Sequence, residues 1–149
     1  MVAIDAYRQP YIPFQLASRE FFAEVAGKLT DRGIAVVNVG RTQTDYRLVD
    51  AIAATMRAEF DHVYAIDVDR YLNTIVVGTN APSSLANIEP NAANFPESSL
   101  IRKVARWMVE GGNGRVIEPG GEVFTDDRAP VERVIDGMIF DAARQAIDP

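Results

Sequence analysis

The sequence contains no cysteine and a single histidine among its 149 residues. Without cysteine there is no disulfide framework and no thiolate nucleophile, and one histidine is too few for a His-rich metal cluster. Basic residues are also in deficit, because 15 Lys and Arg face 21 Asp and Glu and leave a net charge of −6. This balance disfavours nonspecific binding to nucleic acid or to an anionic membrane, and it favours cationic ligands.

Long apolar runs are absent as well. The longest uncharged stretch, residues 71–88, is interrupted by asparagine, serine, threonine and proline and is too polar to cross a bilayer. The chain also begins without a basic-then-apolar leader. We therefore expect a cytoplasmic protein. Apolar residues still make up 48% of the chain, which is enough for the core of one domain, and we predict a single domain over residues 1–149.

The first half of the chain alternates between strand and helix patterns. Apolar or β-branched runs at residues 2–5 and 34–39 predict strands, and helices are predicted to begin near Ser18 and near Thr44 or Asp45. Runs at residues 63–68 and 72–79 predict two more strands, joined by a gap short enough for a hairpin. The order predicts an α/β fold with a mostly parallel sheet, an antiparallel last strand and helices on both faces, in which residues 34–39 form a central strand.

The second half is richer in proline and glycine. A helix near residues 100–108 is expected to bury its apolar stripe, which includes Trp107, and to stop at a glycine cluster. Short strands are predicted at residues 115–118 and 122–125, and a last helix follows Pro130. Asp126 and Asp127 precede that helix, and capping is the favoured interpretation over cation binding.

Asp5 is the sharpest candidate for a functional residue. It ends a predicted strand, and open α/β sheets bind ligands beyond the carboxyl ends of their strands. A carboxylate there can accept a proton from an amine or pair with a cationic substrate, although an Asp that only stabilises a turn is the alternative. Tyr7 and Gln9 in the following loop, and Asn38 at the end of the next strand, are candidate substrate-binding residues. The sequence predicts no metal site, and it does not identify cofactor-binding residues.

Several segments together resemble the carboxyl-terminal half of spermidine synthase-like proteins, which have the fold of S-adenosylmethionine-dependent methyltransferases. They are Ile4-Asp5-Ala6-Tyr7, the helix with Phe21 and Phe22, Asp31-Arg32-Gly33-Ile34 with the strand after it, and Phe124-Thr125-Asp126-Asp127-Arg128-Ala129-Pro130-Val131-Glu132. The resemblance implies a partial Rossmann-like sheet, made of the fourth to seventh strands of seven, with the last strand inserted antiparallel.

Family members transfer an aminopropyl group from decarboxylated S-adenosylmethionine to putrescine. The resemblance implies that Asp5 accepts the proton of the attacking amine and orients that amine. The family continues this strand as Asp-Ser-Ser-Asp-Pro, with a second acid that binds the diamine, whereas this sequence continues Ala6-Tyr7-Arg8-Gln9-Pro10 and has a base near that place.

The family's nucleotide site lies in an amino-terminal half that has no counterpart here, so we expect no cofactor in this chain alone. S-adenosylmethionine or its decarboxylated form is the expected co-substrate once a second half completes the site. The first hypothesis is therefore an aminopropyl- or methyltransferase half, which acts on an amine and forms a homodimer or associates with an amino-terminal half. The alternative is a non-catalytic association module or an inactive relic, since an apolar strand at residues 2–5 leaves one sheet edge open.

Overall fold

A computed structural model of the chain describes residues 1–6 and 11–147 and contains one mixed sheet flanked by helices. The strands are β1 (Val2–Ile4), β2 (Ala35–Gly40), β3 (His62–Val68), β4 (Asn73–Thr79) and β5 (Gly114–Val116). The helices are α1 (Arg19–Lys28), α2 (Arg47–Arg57), α3 (Ile88–Ala92), α4 (Leu100–Glu110) and α5 (Val131–Ile147).

The strands lie side by side in the order β1-β2-β4-β3-β5. β1 is parallel to β2, while β4 is inserted between β2 and β3 and is antiparallel to both. The predicted α/β class and the predicted antiparallel strand are therefore confirmed. β2 is an interior strand as expected, although β4 occupies the middle of the sheet. β5 adds a second antiparallel strand at the far edge, beside β3. Three of the four strand pairings described are therefore antiparallel, and the sheet is mixed rather than mostly parallel as expected, because β4 and β5 both run against their neighbours.

The core lies on one face of the sheet. Along β2 the residues alternate between buried and half-buried, with Ala35, Val37 and Val39 at 0–1% exposure, because successive side chains point to opposite faces. α1, α2 and α5 cover the buried face with Phe22, Ile52, Ile135 and other apolar residues. On the other face, Tyr64 Oη lies 2.9 Å from Ser83 Oγ, so the segment that leads to α3 crosses there. Helices thus lie on both faces.

Two of the predicted helix starts depend on side-chain oxygens. Ser18 Oγ accepts a hydrogen bond from the Phe21 amide and caps α1 as predicted. Asp45 Oδ1 accepts from the Arg47 amide at 3.0 Å at the start of α2. The capping predicted for Asp126 and Asp127 is wrong, since neither carboxylate bonds to an amide of α5 in the described part of the chain. The chain turns earlier, through paired backbone hydrogen bonds between Thr125 and Arg128.

The segment before that turn also differs from expectation. Residues 122–125 form no strand and contribute only the isolated bridge between Thr125 and Arg128. Gly120 and Gly121 have φ values of +128° and +92°, which are not those of a strand, so the chain bends there instead of pairing. The short strand predicted at residues 115–118 does form, as β5.

The apolar stripe of α4 is exposed rather than buried. Trp107 is 41% exposed and Leu100 is 74% exposed, whereas Ala105 is the buried residue of this helix. The expectation of a core Trp107 is wrong because α1, α2 and α5 already fill the buried face of the sheet, and α4 packs beside α3. No described helix is long and apolar enough to span a membrane.

Candidate active site

Asp5 directly follows β1, at the carboxyl end of the parallel pair β1–β2, and its side chain is exposed. Asn38 on β2 donates a hydrogen bond from Nδ2 to Asp5 Oδ1 at 3.1 Å. The sequence indicates both residues as candidates, and the structure brings them into contact at this end of the sheet. The hydrogen bond occupies one carboxylate oxygen, and the exposure of Asp5 leaves the carboxylate accessible to a ligand.

Asn73 extends this arrangement and was missed by the sequence reasoning. It begins β4, and its side-chain amide lies 2.8 Å from Asn38 Oδ1. Asn38 pairs with Ile75 across the ladder, so Asn73 is its diagonal neighbour on the same face. The sequence predicts β4 as a strand, but only the register of β4 on β2 places Asn73 beside Asn38. Asp5, Asn38 and Asn73 are called the amide cluster below.

The other predicted substrate-binding residues, Tyr7 and Gln9, lie outside the described residues. The chain beyond them turns toward α5, where Tyr11 Oη donates to Asp136 Oδ1 at 2.7 Å. This hydrogen bond, with a smaller effect of burial, raises the pKa of Tyr11 above its usual value. Tyr11 is thereby fixed to α5.

A second polar cluster lies at the same end of the sheet on the opposite face, around Asp67 of β3. Its carboxylate accepts from Thr74 Oγ1 at 2.7 Å and from Arg115 Nη1 at 3.0 Å to each oxygen. Tyr46 Oη adds a hydrogen bond at 3.2 Å, and the guanidinium groups of Arg41 and Arg115 lie 4.7 and 5.2 Å from the centre of the Tyr46 ring. These contacts join β3, β4 and β5 to Tyr46, the residue that precedes α2.

The contacts of this second cluster explain the pKa shifts of Asp67 and Tyr46. Burial alone would raise the pKa of Asp67, but the hydrogen bonds from Thr74 and Arg115 outweigh burial and lower it below its usual value. Burial and the Asp67 charge raise the pKa of Tyr46. Asp67 therefore remains a carboxylate that is shared between its neighbours, and its hydrogen bonds connect the strand ends.

Within residues 1–6 and 11–147, no three side chains of His, Asp or Glu lie together as a metal-ion site would require. The amide cluster offers one carboxylate and two amides, which can orient a cationic or hydrogen-bonding ligand. An exposed carboxylate held by an amide suits the binding of an amine and the acceptance of its proton.

Comparison with known proteins adds to this geometry. No protein-family model matches the chain. The curated "Probable polyamine aminopropyl transferase" of Bifidobacterium longum is 28% identical over 162 aligned positions, which cover 96% of this chain and 36% of that protein. The chain is similar to polyamine aminopropyltransferases.

The fold of this aminopropyltransferase-like chain has a solved counterpart. A crystal structure of a probable spermidine synthase from Corynebacterium glutamicum matches with a TM-score of 0.57 and 21% identity, over 83% of this chain and 46% of the other. The two comparisons confirm the resemblance to spermidine synthase-like proteins, the first by sequence similarity and the second by fold. The chain spans about a third of the curated relative and less than half of the solved structure.

Proposed function

We propose that this chain forms the acceptor side of a spermidine synthase-like aminopropyltransferase, with Asp5 as the residue that receives the proton of the attacking amine. The observation that carries the proposal is the exposed Asp5 carboxylate at the carboxyl end of β1, oriented by Asn38 at 3.1 Å. Similarity to a polyamine aminopropyl transferase over 96% of the chain supports the reaction class.

In the proposed reaction, the amine nitrogen attacks the aminopropyl carbon that is bonded to the donor's sulfur. The new C–N bond forms while the C–S bond breaks, and the bonding electron pair returns to the sulfonium sulfur to leave a neutral thioether. The attacking nitrogen gives its proton to Asp5, and Asn38 holds the carboxylate in position for that transfer.

The donor in this proposal is decarboxylated S-adenosylmethionine, and the residues that hold it come from polypeptide outside this chain. The amine acceptor contacts Asp5, with Tyr7, Gln9 and Asn38 as the proposed substrate-binding residues. Small polar substrates of this kind are consistent with a cytoplasmic site of action. The net charge of −6 also favours cationic amines over anionic substrates.

The binding part of the proposal can be tested by NMR on the 149-residue chain. The Asn38 side-chain amide donates to Asp5, so its resonances report on that carboxylate. We expect a saturable shift of these resonances when 1,4-diaminobutane is added, and no such shift in Asp5→Asn. Asp31→Asn, which removes an exposed acid at the other end of β2, is the matched control and should behave like the wild type. The same response in Asp5→Asn, or no response in the wild type, would contradict the amine site.

A second candidate function, protein association, is favoured by the open edge of β1. Within the described residues β1 pairs only with β2, on one side. The Val2 amide donates to Ile34 O toward β2, and successive residues alternate in direction, so the N–H and C=O groups of Ala3 face the open edge. Unpaired strand edges of this kind template pairing with another chain.

We propose that a second copy, or a segment that completes the sheet, pairs with this edge. Ala3→Pro removes the outward amide without removing a hydrogen bond to β2. We expect light scattering after size exclusion to show a dimer for the wild type and a monomer for Ala3→Pro. A monomeric wild type would contradict pairing with a second copy, and a dimer that Ala3→Pro leaves unchanged would contradict association through β1.

A further inference from the structure

A cleft that the reaction proposed above does not use lies on the same sheet face as the amide cluster. Val68 pairs with Asn73 across the β3–β4 ladder, so the two share that face. The cleft has a volume of about 580 Å³ and is lined by Val68, Arg70, Tyr71, Trp107, Gly111 and Asn113. Its volume is within the range of small-molecule sites. Because β3 is three strands from β1, the cleft lies on the order of 15 Å from Asp5.

Aromatic side chains form two walls of the cleft and are unusually accessible. Tyr71 is 66% exposed and Trp107 is 41% exposed, whereas aromatic rings of this size are normally covered. The turn that presents Tyr71 is followed by Leu72 at φ +52°, a conformation that side chains other than glycine rarely adopt. Strain of this kind persists where the surrounding structure holds it, and here the Arg41 amide donates to Leu72 O at 2.8 Å.

Arg70 gives the cleft its charge. Its guanidinium lies 5.4 Å from the centre of the Tyr71 ring, and none of the carboxylates that the structure describes forms an ion pair with it. A guanidinium stacked on a ring keeps its N–H donors free at the edge, where they match a carboxylate or a phosphate. The cleft thus presents a positive group in a chain whose net charge is −6.

Asn113 adds a hydrogen-bonding wall. Its Nδ2 donates to the carbonyl of Trp107 at 3.3 Å, which leaves Oδ1 available to accept from a ligand. Gly111 makes room for this amide, because a Cβ at that position would lie 2.5 Å from Asn113 Nδ2. Aromatic faces, a guanidinium edge and an amide oxygen together match a planar ring that carries both a hydrogen-bond donor and an anionic group.

We propose that this cleft binds a planar aromatic anion of nucleotide size, with the ring stacked on Trp107 or Tyr71 and the anionic group on Arg70. The inference is independent of the aminopropyl transfer proposed above, since it uses none of the residues of the amide cluster. A diamine is disfavoured here by the charge of Arg70.

Trp107 is the single tryptophan of the chain, so its fluorescence reports directly on the cleft. Adenosine monophosphate, adenosine and inorganic phosphate serve as probes. We expect saturable quenching by adenosine monophosphate, about ten-fold weaker binding of adenosine, and no quenching by phosphate alone, because loss of one charge-assisted contact changes affinity by about that factor. No saturable quenching by the nucleotide, equal affinity for nucleotide and nucleoside, or quenching by phosphate alone would overturn the proposal.

Arg70→Gln separates the anion contact from stacking. We expect it to reduce nucleotide affinity to that of adenosine and to leave adenosine binding unchanged. Arg133→Gln on α5, which removes an exposed arginine from a helix that packs on the other sheet face, is the matched control and should retain wild-type affinity. Far-UV circular dichroism checks that each variant is folded. Undiminished nucleotide affinity in Arg70→Gln would overturn the assignment of Arg70.

Discussion

The carboxylate of Asp67 connects three strands and the start of α2, and its replacement by asparagine should destabilise the protein by about 2 kcal/mol at pH 7. The charged carboxylate accepts hydrogen bonds from Thr74, Arg115 and Tyr46 at 2.7–3.2 Å. A hydrogen bond to a charged group contributes roughly 1.5–3 kcal/mol. Asparagine keeps one acceptor oxygen, and the Asp67 side chain is 19% exposed, so the loss is smaller than for a fully buried pair.

The destabilisation caused by Asp67→Asn should become smaller as the pH falls. The pKa of Asp67 is lower in the folded protein than its usual value. A carboxylate with a lowered folded pKa stabilises the protein above its unfolded pKa of about 4, and this contribution disappears as the pH falls through the folded pKa. The difference in the free energy of unfolding between the wild type and Asp67→Asn should therefore reach its maximum above about pH 5 and should decrease below about pH 4.

Urea unfolding followed by circular dichroism and by Trp107 fluorescence measures this difference. Glu97→Gln is the control, because the ion pair of Glu97 with Arg106 at 3.4 Å is exposed and should contribute less than about 0.5 kcal/mol. The reasoning is refuted if Asp67→Asn is as stable as the control at pH 7. It is equally refuted if the difference stays constant between pH 7 and pH 3.

Three further predictions concern the core and the caps, each read from urea unfolding at pH 7. Thr55→Val should destabilise by about 1–3 kcal/mol, because the buried Thr55 hydroxyl accepts from the Phe124 amide and the variant leaves that amide unpaired; equal stability would contradict this. Gly78→Ala should destabilise by about 1–3 kcal/mol, since a Cβ there would lie 2.8 Å from the Phe60 ring, and a neutral effect would show that the ring moves freely. Ser18→Ala should lower the free energy of unfolding by about 1 kcal/mol, because it removes the cap of α1. Asp127→Ala should change the free energy of unfolding by less than about 0.5 kcal/mol. A larger loss in Asp127→Ala than in Ser18→Ala would indicate that Asp127 does cap α5.

Much of the sheet followed from local sequence patterns. The short gap between β3 and β4 predicted a reversal, and the structure shows β4 antiparallel to its neighbours. Asp5 and Asn38 lie near the carboxyl ends of adjacent parallel strands, so their proximity could be inferred from the strand order. Ser18 capped the helix that it precedes, because a cap needs only the three residues that follow it.

The remainder depended on contacts between distant segments. The ion pair of Asp67 with Arg115 joins residues that are 48 positions apart, and it requires the register of β5 on β3. The spacing of Trp107 is typical of a buried helix face. However, α1, α2 and α5 cover the apolar face of the sheet, so α4 does not pack there. Periodicity identifies an apolar face and does not identify its partner.

The most direct test of the central claim is aminopropyl transfer itself. The 149-residue chain is mixed with the part of the Bifidobacterium longum relative that it does not match, and mass spectrometry follows the product formed from decarboxylated S-adenosylmethionine and 1,4-diaminobutane. We expect spermidine in the mixture, at a turnover that Asp5→Asn lowers by about 10² and Asp31→Asn leaves unchanged. Product formed equally well with Asp5→Asn, or no product from the mixture, would contradict the proposed role of this chain.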